Sequence, residues 1–182
     1  MDANFVIADS DPSTCMPFIV HLAEPRFFAM VMPKLRAPAG IRENVESMSP
    51  ASALRGLNLY PAFMTDPTGY EYKHLMELFQ KGARQFWKSM MGGGAASEIP
   101  DSEISVVFRE EGAFVPPHLY GSDGQQSYII RTQSPKMIWQ LSDESSRECS
   151  WRENCSELEF EEGTAAAFSF YQQYLEQEEA EV

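Results

Sequence analysis

The clearest periodicity in the chain lies between residues 69 and 91. Tyr72, Leu75, Met76, Phe79, Ala83, Phe86, Trp87 and Met90 recur at steps of three and four, so a helix gathers them on one face. Lys73, Glu77, Lys81, Arg84 and Lys88 fall on the other face as a modest basic stripe. Thr68 and Glu71 have the T-x-x-E spacing of a capping box, and Gly92-Gly93-Gly94 supplies a stop. Gly82 inside this stretch costs about 1 kcal/mol relative to alanine, too little to overturn the pattern.

The other apolar runs are short. Asn4–Ala8, Phe18–Ala23 and Arg26–Met32 are rich in β-branched and aromatic residues, with Glu24-Pro25 dividing the last two, and they predict strands. Prolines then remove any clear period, which predicts an extended wrapping segment over 33–68 with a short helical turn at 51–56. After a Gly/Ala linker at 92–98, strands are predicted at Ile104–Arg109, Ala113–Val115, Ser127–Thr132 and Lys136–Leu141. The last two read as a hairpin turning at Ser134-Pro135. Asp123-Gly124 marks another turn, because both residue types tolerate positive φ. Residues 142–156 read as a polar loop and Glu157–Glu161 as a short strand. In 164–175, Ala167, Phe170, Tyr171 and Tyr174 fit a helix, while Phe168 and Phe170 alternate as in a strand; a terminal helix is the favoured reading. No internal repeat is present. The expectation is a single α+β domain over 1–175, its short, mostly antiparallel strands packed on the long amphipathic helix at about 69–91, followed by an acidic tail at 176–182.

Composition narrows this further. A hydrophobic fraction of 43% and an aromatic fraction of 12% exclude disorder of the whole chain. No apolar run approaches the roughly 20 residues needed to cross a bilayer, and acids near the start are unlike a signal peptide. Cys15, Cys149 and Cys155 are an odd and sparse set, which favours a reducing, cytoplasmic compartment over a disulfide scaffold.

Charge is the most informative number. The chain carries 27 acidic against 14 basic side chains, a net −13. Residues 1–97 hold 9 of each sign, whereas 98–182 hold 18 acids and 5 bases. An excess of acid counts against direct nucleic-acid binding, which needs cations to displace counterions from phosphates. The segregated charge is either a solvating face or a docking surface for a protein partner with a basic surface. Trp151 and Arg152 in the polar loop are residue types enriched at interface hot spots. With Glu157, Glu159, Glu161 and Glu162 they make the candidate contact set. A nucleic-acid mimic is a third reading, with Glu176, Glu178, Glu179 and Glu181 extending the carboxylate ladder; the neutral first half speaks against it.

Candidate chemistry is sparse. His118 is followed five residues later by Asp123, a carboxylate suited to fixing the tautomer of a general base. No G-x-S-x-G elbow supplies a nucleophile. Cys149-x5-Cys155 without a local histidine lacks zinc-site spacing, the glutamates lack a calcium-loop pattern, and Gly92–Ser97 lacks the G-K-[ST] of a phosphate loop. No cofactor or metal is expected. The order Gly112…Pro117-His118…Glu162-Gly163-Thr164-Ala165-Ala166-Ala167-Phe168 resembles the double-stranded β-helix enzymes, the cupins and the iron/2-oxoglutarate oxygenases. In those families a histidine at a strand end precedes a Gly-bearing turn and an apolar strand. The iron families require His-x-Asp and a distal histidine, whereas this chain reads His118-Leu119-Tyr120 and has no later histidine. A two-histidine iron site would have to recruit His21 or His74. The resemblance therefore implies such a fold without its metal.

The favoured function is a non-enzymatic, intracellular interaction or regulatory protein, an inhibitor or assembly subunit, that engages its partner through the acidic second half. The alternative is a small-molecule enzyme or ligand-binding protein on a β-sandwich or double-stranded β-helix-like fold, with His118 at the pocket.

Overall fold

The periodic segment forms helix α1, Tyr72–Met91, in the computed structural model, which describes residues 4–10, 16–35, 54–92, 98–108, 116–133, 136–141 and 146–149. Its buried residues are Leu75, Phe79, Gly82, Ala83, Phe86 and Trp87. Two positions assigned to that face by spacing are instead exposed: Tyr72 at 68% and Met90 at 38%. They stand at the two ends of the helix, where its apolar stripe outruns the surface that covers it. The helix starts three residues later than the spacing suggested. Glu71 is the N-cap and makes no side-chain cap hydrogen bond, so the expected Thr68–Glu71 capping box does not form. Asp66 Oδ1 accepts from the Thr68 amide at 2.9 Å, and this local turn takes the backbone out of helical conformation. At the other end Gly92 adopts φ 69°, the left-handed conformation that a glycine C-cap supplies.

The described elements are α+β, one α-helix with mostly antiparallel strands, and the chain divides into two compact units. The first comprises Met1–Phe5 and Ile19–Glu111, the second Val6–Phe18 and Gly112–Val182. Strands β1 (Phe5–Asp9) and β2 (Pro17–His21) each contribute residues to both.

In the first unit the strand order is β5-β4-β3-β2. Strand β3 (Phe27–Leu35) pairs antiparallel with β4 (Leu54–Phe63) from Phe27 opposite Phe63 to Leu35 opposite Leu54. This overturns the expected helical turn at 51–56 where it can be seen: 54–56 is strand, paired with β3 apart from an irregularity that skips Arg55 between Lys34 and Leu35 (residues 51–53 lie outside the described set). Strand β5 (Ile104–Val106) lies parallel to β4 and follows a single 3-10 turn at Asp101–Glu103. Gly56 allows this approach, because a Cβ there would lie 2.9 Å from the Cβ of Glu103 and closer still to its carbonyl. The core is aromatic. The Phe79 ring centroid lies 4.7 Å from Phe27 and 5.9 Å from Phe63, and a Cβ added at Gly82 would sit 2.9 Å from both Phe5 and Ile19. Gly82 thus marks a close approach of helix to strands, which repays its low helix propensity.

In the second unit the order is β1-β6-β7-β8-β9. Strands β6 (His118–Ser122), β7 (Ser127–Arg131), β8 (Met137–Leu141) and β9 (Ser146–Cys149) form an antiparallel meander, and β1 pairs antiparallel with β6. The β7–β8 hairpin falls where its apolar runs placed it. Strand β9 lies inside the segment read as a polar loop, because ladder hydrogen bonds come from the backbone and are indifferent to its polar sequence. Val6, Ala8, Leu119, Ile129, Ile130 and Ile138 are the aliphatic core of this unit. The strands expected at 113–115 and 157–161, the helix at 164–175 and the tail at 176–182 lie outside the described residues.

Candidate functional site

Strand register in the second unit gathers a polar group on one sheet face. Alternate residues of a strand share a face, so His118, Tyr120 and Ser122 point to one side of β6, while Leu119 points to the other and is fully buried. The β6–β7 pairing sets Arg131 directly opposite His118 and Ile129 opposite Tyr120; on the far side of β6, Asp9 of β1 is opposite Tyr120. Directly opposed residues have Cβ atoms about 4.5–5.5 Å apart. Asp9 with Tyr120, and His118 with Arg131, are therefore direct cross-strand neighbours, and the two pairs lie two residues apart along β6.

Burial and charge adjust these groups. His118 is half-buried, and burial holds its pKa below the ordinary imidazole value; the neighbouring Arg131 cation lowers it further. Both influences favour the neutral ring. Asp9 moves the other way, its carboxyl raised above the usual range by burial. Both shifts favour the uncharged form, and opposite shifts of neighbouring acid and base groups are one mark of a functional site. A neutral imidazole beside a guanidinium can accept a proton or a hydrogen bond while the cation attracts a negatively charged group.

Asp123 performs a structural task in the turn joining β6 to β7. Its Oδ1 accepts from the Gln125 and Gln126 amides at 2.8 and 2.9 Å, and its Oδ2 accepts from the Tyr128 hydroxyl at 3.0 Å. Burial raises the carboxyl pKa, but hydrogen bonds from Gln126, Gln125 and Tyr128 outweigh it, and the net effect is downward. Gly124 takes φ 91° in the same turn, and its amide donates to Ser122 Oγ. The turn foreseen at Asp123-Gly124 is therefore present.

The other histidines have different surroundings. His21 is buried in the first unit, its ring centroid 4.7 Å from Phe5 and 5.2 Å from Phe27. Its Nδ1 lies 2.9 Å from the Pro25 carbonyl, which can only accept, so Nδ1 carries the proton of that bond. His74 is exposed on α1 and stacks on Tyr70 at 6.0 Å. Among the described residues no group of three or more His, Cys, Asp or Glu is arranged to hold a metal ion. No helix among them is long and apolar enough to cross a membrane.

The candidate contact residues Trp151, Arg152, Glu157, Glu159, Glu161 and Glu162 lie outside the described residues. The structure does refine the division of charge. By sequence, the stretches of the first unit hold 12 acids and 10 bases, and those of the second hold 15 acids and 4 bases. Asp101 and Glu103, counted with the acidic half, belong to the first unit and pair with its cations: Arg84 with Asp101, and Arg55 Nε with Glu103 at 3.1 Å. Arg26 pairs with Glu24 at 3.3 Å and Lys73 with Glu77 at 4.0 Å. The basic stripe of α1 is thus partly neutralised within its own unit.

Sequence reading missed Asp9 and Arg131 as neighbours of His118. The signal was present for Arg131: once Ser122 and Ser127 are paired around the Asp123-Gly124 turn, counting outward along the two strands brings 118 opposite 131. Comparison with protein-family models, with curated proteins and with solved structures gave no match.

Proposed function

We propose that the protein is a non-enzymatic interaction or regulatory protein that engages a partner with a basic surface through the acidic part of its second unit. The carrying observation is the partition of charge: Glu24, Glu77, Asp101 and Glu103 of the first unit pair with cations of the same unit, and most of the acidic excess falls on the sequence of the second. Opposite charge across an interface accelerates encounter and selects partners. Trp151 and Arg152, flanked by Glu153 and followed by Glu157, Glu159, Glu161 and Glu162, supply an aromatic anchor among carboxylates. The odd, sparse cysteine set is in keeping with a reducing, cytoplasmic setting.

The test is affinity capture at about 50 and about 500 mM salt, which shortens the screening length severalfold. It is run with the natural chain and with a variant in which Glu157, Glu159, Glu161 and Glu162 are all glutamine. The reading expects a partner that is retained at low salt, released at high salt and lost with the variant. Capture indifferent to both changes would remove its basis.

A second reading, a site for a small ligand, is favoured by the grouping of Asp9, His118, Tyr120 and Arg131 on one face. It expects the His118 ring resonances to move when the ligand is added and the same ligand to lose affinity for His118→Gln. A small-molecule screen that leaves those resonances in place counts against it.

A further inference from the structure

We draw no further inference here: the strongest candidate, the outer edge of β5 in the first unit with the exposed Val107 and Phe108 beside it, is an apolar edge for which nothing among the described residues shows what covers it.

Discussion

The two units reach stability by different means. In the first, large rings from strands and helix interlock: Phe5, Phe27, Phe63 and Phe79 lie in edge-on or tilted contacts, and His21 is held among them. In the second, aliphatic side chains are buried on both faces of a meander, Ile130 on one and Ile129 on the other, and Asp123 fixes the turn between β6 and β7. The electrostatic habits differ as well. The first unit places arginines against its acids; the second holds few cations in its sequence, and one of them, Arg131, stands opposite a histidine. Each unit therefore has its own core and its own balance of charge.

The severest challenge to this contrast is Phe79→Ala. Phe79 is fully buried and touches three other aromatic rings, so truncation is expected to cost about 3–5 kcal/mol through lost transfer energy and a residual cavity. Urea denaturation gives the size, and amide exchange is expected to show protection falling first in β3, β4 and α1. Protection falling equally among β6, β7 and β8 would erase the contrast. Gly121→Val is the counterpart in the second unit. A Cβ at Gly121 would lie 2.7 Å from the Ile7 carbonyl and 2.8 Å from the Ala8 Cβ, so overpacking of about 1–3 kcal/mol is expected. The exchange pattern should reverse, with β1 and β6 losing protection first.

Asp123→Ala removes the acceptor of two amides and one hydroxyl, at an expected cost of about 1 kcal/mol because the turn stands partly in water. Asp123→Asn should recover part of this by keeping one acceptor oxygen. The pH dependence is smaller and is read by its sign. An unfolded histidine titrates near 6.5, and folded His118 titrates below that, so the unfolded chain takes up the proton first. The stability tied to neutral His118 is complete above about pH 6.5 and declines as pH falls toward its folded value. His118→Gln is expected to flatten the urea midpoint over that window; an unchanged slope would show that the ring does not titrate as its burial implies. Asp9 has the opposite sense, its raised carboxyl pKa easing folding as the pH falls below that value. The smallest effect belongs to Arg84→Ala, which breaks an exposed ion pair with Asp101 and is expected to cost well under about 1 kcal/mol, with the difference fading as salt is added.

Legibility from sequence followed the physics of each element. Helix α1 was visible because its one-sided burial writes a long 3.6-residue repeat into the chain, and Gly92 ended it by a conformation that favours glycine. The β7–β8 hairpin was visible because Ile129, Ile130 and Ile138 carry the apolar signal of buried strands. Strand β4 was hidden by Gly56, Asn58 and Pro61, which read as breakers. Pro61 is tolerated because β5 reaches only Leu57 to Leu59, so the far side of Pro61 needs no β5 partner for a missing amide hydrogen. Strand β9 was hidden by its polarity. At the site, His118 was recognisable by residue type alone, but Asp9 was not: it is over a hundred positions away, and only the β1–β6 pairing brings it near.

The parallel pairing of β5 with β4 has a consequence for the order in which the chain folds. Parallel neighbours cannot be joined by a tight turn, and here the connection between Phe63 and Ile104 contains the whole of α1. Strands β3 and β4 can zip together as soon as both have formed, but β5 has a long loop to close and arrives most cheaply once the helix has shortened it. The β4–β5 pairing is therefore expected to form after β3 and β4 have zipped together, and a side chain at Gly56, which would meet the Glu103 backbone, is expected to hinder it.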